Sequence, residues 1–84
     1  MERKEIFDRL IPLIIKADFK KSISNSNEIE NNSNFEKDLG FDSIDKTELL
    51  MFSEKEFNII YDYPDVSSEI DTVDDLINLI QKYQ

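Results

Sequence analysis

The residues best able to support chemistry lie together in segment 38–45, which reads Asp-Leu-Gly-Phe-Asp-Ser-Ile-Asp. It holds the only glycine of the chain, Gly40, and a serine, Ser43, flanked by Asp42 and Asp45. A serine hydroxyl needs a neighbouring base to act as a catalytic nucleophile. The chain contains no histidine and no cysteine, so neither an imidazole base nor a thiolate is available. Ser43 by itself therefore has no neighbouring histidine to activate it as a nucleophile.

A purely structural interpretation of the same segment is also open. Asp and Ser are among the commonest N-caps of helices, and Gly40 permits a backbone turn with positive φ. An N-cap at Asp42 or Ser43 with a turn at Gly40 accounts for these residues taken alone. It does not require the order Gly-x-Asp-Ser-apolar-Asp, nor the acids that follow on the next helix.

Length and composition limit the classes of protein to which the chain can belong. Its 84 residues provide one small domain, 1–84, with a thin core. The net charge of −9 argues against a nucleic-acid ligand and favours basic protein partners. Without cysteine there is no disulfide framework, and the longest apolar runs are too short to cross a membrane. The N-terminus does not resemble a signal peptide, so we expect a cytoplasmic monomer.

The elements that position Ser43 are predicted to be helices, because glycine and proline are scarce and apolar residues recur three and four apart. One helix covers about Glu2–Asp18. Its apolar stripe keeps its phase across Pro12, which favours a single kinked helix over two short ones. A second helix covers about Ser43–Phe57. The fold class is therefore all-α.

The C-terminal part of the chain is predicted to add two further helices. A short turn of helix fits Val66–Glu69. The last helix begins at Asp71-Thr72, where Thr72 and Asp75 resemble a capping box with a shorter acid.

A polar connection of unusual length, Phe19–Asp42, joins the first two helices. Its few apolar residues are predicted to pin it to the core: Ile23, Ile29, Phe35, Leu39 and Phe41. The inward-facing apolar residues of the three longer helices are predicted to form that core: Leu10, Ile14, Leu49, Phe52, Phe57, Leu76 and Ile80.

The stretch Asn31–Asp45 resembles the phosphopantetheine attachment region of bacterial acyl carrier proteins. The similarity continues through Glu48-Leu49-Leu50-Met51 and Glu54-Lys55-Glu56-Phe57 to Asp71-Thr72-Val73. Length, acidity, the long first loop and the order of elements also agree, so the resemblance covers nearly the whole chain.

The resemblance implies a carrier and not an enzyme. In the family, a phosphopantetheinyl transferase uses Mg²⁺ to attach the 4′-phosphopantetheine of coenzyme A to the serine of this motif, here Ser43, and no structural metal is expected. Gly40, Asp42 and Ile44 would surround the attachment point. The thiol of the arm would then hold acyl groups as thioesters. The implied fold is a small four-helix bundle with three longer helices and one short one.

The resemblance also implies a docking surface on the second helix. Asp45, Glu48 and Glu54 match acidic positions that meet basic patches of acyl-transferring and chain-elongating enzymes, and such acids raise encounter rates. Met51 lies seven residues after Ile44, so the two nearly share a helix face and would add apolar contact. The alternative is that the acids are only a solvated face, and for Glu54 the two interpretations are balanced.

Three residues of the second helix depart from the family pattern. Lys46 and Lys55 introduce positive charge into the second helix, where each would oppose a basic residue of a general fatty-acid enzyme. Ser53 lies where the family usually has an inward-facing apolar residue. Because the family shelters the acyl chain between these helices, Ser53 would leave a smaller or more polar pocket. These departures suggest a specialised carrier.

Two alternative functions stay open from the sequence. Carriers that load D-alanine for cell-wall esters share an Asp-Ser pair and a small, acidic, stand-alone form. From a different class, an acidic helical adaptor that binds a basic partner without modification fits the composition equally well. Gain of the phosphopantetheinyl mass would distinguish a carrier from such an adaptor.

The uneven charge of the chain predicts that salt stabilises it. Residues 1–21 hold 6 bases and 4 acids, net +2, so residues 22–84 carry the remaining −11 of the total of −9. Repulsion among these acids favours the unfolded chain, and counterions screen it. We expect the melting temperature to rise with NaCl, Mg²⁺ or Ca²⁺ in thermal scans. A flat or falling trend would contradict this expectation.

Overall fold

A computed structural model describes residues 1–21, 23–62 and 69–84 of the chain. They form three α-helices, α1 (Arg3–Ala17), α2 (Ser43–Phe57) and α3 (Val73–Tyr83), with a 3₁₀ turn at Ser26–Glu28. Within these ranges the only β pairing is an isolated bridge between Asn34 and Thr72. The all-α prediction is therefore confirmed.

The predicted short helix at Val66–Glu69 falls largely on residues 63–68, which lie outside the described residues. The described part of the chain contains no helix long and apolar enough to cross a membrane.

Helix α1 is one continuous helix that includes Pro12, so the prediction of one helix rather than two is confirmed. Ile6, Leu10 and Ile14 are fully buried on one stripe, and this stripe continues across the proline. The helix packs against both α2 and α3. Burial of the stripe on both sides of Pro12 outweighs the backbone hydrogen bond that the proline cannot donate.

Helix α3 begins at the predicted capping box. Thr72 accepts the backbone N–H of Asp75, and the Asp75 carboxylate accepts the backbone N–H of Thr72 at 3.0 Å. These bonds satisfy two of the groups that a helix start leaves unpaired. The apolar stripe of α3 is buried, which fixes how this helix meets the core: Val73, Leu76, Ile77, Leu79 and Ile80.

The connection between α1 and α2 is held to the core as predicted. Ile29, Phe35, Leu39 and Phe41 are buried, while Ile23 is half-buried. These side chains explain how a polar segment of this length stays folded against the helices.

The same connection is also bonded to the start of α3 through its backbone. The N–H of Phe35 donates to the carbonyl of Asp71 at 2.8 Å, and that of Val73 to Ser33 at 3.0 Å. A third bond runs from the N–H of Asp74 to the carbonyl of Asn31 at 2.8 Å. The loop that leads to Ser43 is thus fixed by α3.

Two cation–π contacts join α1 to α2. The Arg9 guanidinium stacks 4.9 Å from the centre of the Phe57 ring and pairs with Glu56 at 2.8 Å. Lys16 Nζ lies 4.5 Å from the centre of the Phe52 ring. Phe52, predicted to point inward, is only half-buried because it packs at the edge of the core beneath this lysine.

Candidate functional site

The N-cap of α2 is Asp42 and not Ser43. Asp42 is the N-cap of α2 and accepts the backbone N–H of Asp45 at 2.9 Å, while Asp45 accepts the N–H of Asp42 at 3.1 Å. Ser43 is the first residue of the helix and is exposed. Its hydroxyl is therefore not needed to begin the helix.

Gly40 brings the chain into this helix start. Its φ of 73° lies in the left-handed region, where a side chain would clash with the backbone. Its neighbours Leu39 and Phe41 are buried, and the N–H of Phe41 donates to the carbonyl of Phe35 at 2.7 Å. The glycine therefore lets the chain reverse between two anchored side chains and present Ser43 at the surface.

A lysine of the connection, three residues after the end of α1, adds positive charge near Ser43. Lys20 Nζ lies 3.3 Å from an Asp42 carboxylate oxygen and 3.9 Å from one of Asp45. Lys20 was not predicted, because it is more than twenty positions away in the sequence and belongs to no motif. It offsets part of the negative charge on the two carboxylates.

Asp42 in the capping box of α2 and Asp75 in that of α3 each have a lowered pKa. The backbone N–H of Asp45 holds the pKa of Asp42 below its ordinary value, and Lys20 lowers it further. The backbone N–H groups of Asp71 and Thr72 lower the pKa of Asp75 in the same way. In both cases the hydrogen bonds favour the ionised carboxylate over the protonated one.

These lowered pKa values predict that part of the stability of the folded protein is lost at acid pH. The stabilisation by Asp42 is fully present above its unfolded pKa of about 4 and is lost as the pH falls through the lower folded pKa. Asp42→Asn keeps a capping oxygen but does not titrate. We expect its melting temperature to fall less than that of the wild type as the pH is lowered below about 4.

The matched control for this experiment is Asp8→Asn, whose carboxylate forms only an exposed pair with Lys4. It should retain the wild-type pH dependence. Equal slopes for Asp42→Asn and the wild type would contradict the prediction.

Two residues of α2 are more buried than the sequence suggested. Asp45 is buried because its carboxylate serves the capping box, so it is not part of the open acidic surface. Lys46 is only 6% exposed, and its Nζ lies 3.2 Å from Glu36 of the long connection, which covers this side of α2. The expectation that Lys46 faces a partner enzyme is therefore wrong, whereas Lys55 is exposed.

The other residues predicted for docking lie at the surface or near it. Ile44 is 68% exposed and Met51 51% exposed, so both apolar side chains face solvent. Glu48 is half-buried. Glu54 is also half-buried, and its carboxylate accepts the backbone N–H of Tyr61 at 2.9 Å. Glu54 thus has a structural role beside any role in docking.

An open groove runs beside the C-terminal half of α2. Its lining includes Met51, Phe52 and Lys55 of the helix and Ile59 and Ile60 of the segment that follows. The groove extends the exposed apolar surface of Met51 beyond the end of α2.

Comparison with known proteins identifies the family. No family model matches the chain. The acyl carrier protein of Porphyromonas gingivalis is 37% identical over 78 residues, which are 93% of this chain and 94% of that protein. The acyl carrier protein of Karelsulcia muelleri is 39% identical over 82 residues, 94% of this chain and 89% of that protein.

A plant relative gives a shorter match. Acyl carrier protein 3, mitochondrial, of Arabidopsis thaliana is 44% identical over 55 residues, 66% of this chain and 39% of that protein. The bacterial matches extend over nearly the full length of both chains, and the helical fold is consistent with them. The chain belongs to the acyl carrier protein family.

Proposed function

We propose that this protein carries acyl groups as thioesters on a 4′-phosphopantetheine arm attached to Ser43 Oγ. The observation that carries the proposal is the position of Ser43, which is exposed at the first residue of α2 while Asp42 caps the helix. A modifying enzyme can reach this hydroxyl without disturbing the hydrogen bonds that begin the helix. Membership of the acyl carrier protein family supports the same assignment.

The surroundings of Ser43 suit a phosphodiester. The N-terminus of a helix carries partial positive charge and backbone N–H groups that favour phosphate. Lys20, 3.3 Å from Asp42, reduces the repulsion that the neighbouring carboxylates would exert on such a group. The arm supplies a terminal thiol, which the cysteine-free chain lacks.

Catalysis is assigned to the partner enzymes. The chain has no histidine to serve as a general base near Ser43, so a phosphopantetheinyl transferase must activate the hydroxyl. The Ser43 oxygen forms the new bond to phosphorus, and the 3′,5′-ADP portion of coenzyme A leaves. The role of this chain is to present the hydroxyl and later the thioester.

The docking surface that we propose is narrower than the sequence suggested. It consists of Ile44, Glu48 and Met51, with Glu54 and the groove beside Lys55 at its far end. Exposed apolar side chains beside acids suit enzymes of fatty-acid or related acyl synthesis that carry basic patches around an apolar centre. Asp45 contributes indirectly, by holding the helix start in place.

Intact-mass measurement tests the proposal directly. The purified chain is incubated with coenzyme A, Mg²⁺ and a phosphopantetheinyl transferase of broad specificity. We expect a gain of one phosphopantetheinyl group per chain. An unmodified adaptor would gain no mass even with an excess of transferase, and that outcome would overturn the proposed function.

A further inference from the structure

The carboxylate that precedes Ser43 is already paired with a lysine of the same chain. Lys20 Nζ donates to Asp42 Oδ2 at 3.3 Å, while Asp42 Oδ1 accepts the backbone N–H of Asp45 at 2.9 Å. One oxygen of Asp42 therefore serves the helix start, and the other serves Lys20. The Asp42 side chain is 49% exposed, whereas that of Asp45 is 6% exposed. Asp42 is thus the flanking carboxylate that a partner enzyme reaches, and Lys20 lies upon it.

The turn after α1 holds the Lys20 backbone in this place. The N–H of Phe19 donates to the carbonyl of Ala17 at 3.0 Å, and that of Lys21 to the carbonyl of Asp18 at 3.2 Å. Ala17 and Asp18 are both buried, which ties the turn to the core. The pair with Asp42 therefore needs only the Lys20 side chain to become ordered.

Helix α1 runs antiparallel to α2. Arg9 contacts Phe57 at the end of α2, and Lys20, which follows α1, contacts Asp42 at the start of α2. The charges near the N-terminus of α1 therefore lie toward the end of α2 that is away from Ser43. Lys20 acts at the attachment end.

We propose that Lys20 occupies the place that a basic side chain of a partner enzyme would take on Asp42, and so restrains docking of strongly basic enzymes at Ser43. The inference rests on the proposed function, because it concerns the enzymes that reach this serine. A second cation brought to the same carboxylate is repelled by Lys20, so it gains the full attraction of Asp42 only after Lys20 has left. A partner that brings an acidic or uncharged side chain to this position leaves the pair intact and is favoured.

The exposure of the pair sets the size of the restraint. The side chain of Lys20 is 57% exposed and that of Asp42 is 49% exposed. Loss of an exposed ion pair changes an equilibrium by up to about fivefold. The restraint is therefore large enough to rank partners and too small to prevent docking. Because salt screens exposed charges, the effect is greatest at low ionic strength.

Loading of Ser43 by a phosphopantetheinyl transferase with a basic carrier-binding face measures the restraint. With coenzyme A and Mg²⁺ in excess, intact mass followed over time gives kcat/KM for the carrier. We expect kcat/KM to be about two to five times higher for Lys20→Met than for the wild type at about 0.01 M NaCl. The two values should converge at about 1 M NaCl, where charges interact over only about 3 Å.

Two further variants separate the position of the charge from its removal. Lys20→Arg keeps a cation beside Asp42 and should be loaded at the wild-type rate. Lys4→Met is the matched control, because it also removes a lysine from an exposed pair, in which Lys4 Nζ lies 2.9 Å from Asp8. It changes the net charge equally but at the other end of α1, so its kcat/KM should stay close to that of the wild type.

The outcomes separate this inference from the proposed function. If the wild type gains no phosphopantetheinyl mass, both are wrong. If it is loaded and Lys20→Met is loaded no faster at low salt, only the restraint is wrong. Slower loading of Lys20→Met would show that Lys20 assists the reaction, and an equal gain in Lys4→Met would show that net charge alone matters. Either result would also overturn the restraint.

Discussion

The variant Ser43→Ala is expected to remain folded and to gain no phosphopantetheinyl group under conditions that fully modify the wild type. The loss should be complete, because the attachment bond needs the serine oxygen. Asp42 caps α2 and Asp45 completes the capping box, so the helix start does not depend on Ser43. The melting temperature should therefore stay within about 4 °C of the wild-type value, as for other surface substitutions.

Intact mass and thermal unfolding of the same samples check this expectation. Ser26→Ala is a suitable control because Ser26 is also exposed and also begins a helical turn. It should be modified as fully as the wild type. Modification of Ser43→Ala to the wild-type extent would show that another residue carries the arm.

The second large effect concerns stability. Phe35→Ala should lower the free energy of unfolding by about 3–5 kcal/mol, the usual loss for a buried phenylalanine. The Phe35 ring is fully buried and stacks with the Phe41 ring, with 5.8 Å between ring centres. It therefore anchors the connection between α1 and α2 in the core. A domain of this size has a total stability of the same order. The variant should be largely unfolded at room temperature.

Urea denaturation followed by circular dichroism measures the loss. Phe19→Ala is the matched control, because the Phe19 ring is 59% exposed and its removal leaves no cavity. It should unfold close to the wild-type urea midpoint. A similar loss for the two variants would mean that the connection is not anchored through Phe35.

The sequence predicted the parts of the fold that depend on local patterns. The apolar stripes of α1 and α3 repeat with the period of a helix, so their buried faces follow directly. The capping box at Thr72 and the positive φ of Gly40 depend on residue types with few alternatives. The prediction for the attachment site came from the family motif around Ser43.

The burial of individual residues on α2 could not be predicted in the same way. Its apolar residues are spread around the helix, so the sequence does not indicate a single inward face. The long connection covers one side of α2. Its residue Glu36 pairs with Lys46, which is buried on that side, while Ile44 stays exposed. The hydrogen bond between Ser53 Oγ and the Tyr61 hydroxyl likewise depends on the path of the chain after α2, which no local pattern specifies.

The bonds between the long connection and α3 have a consequence for the order in which the protein matures. Residues 31, 33 and 35 form backbone hydrogen bonds with residues 74, 73 and 71, respectively. During synthesis, which proceeds from the N-terminus, the loop before Ser43 therefore cannot reach its final form until the last helix has left the ribosome. A nascent or C-terminally truncated chain would display the serine without the fixed loop beside it.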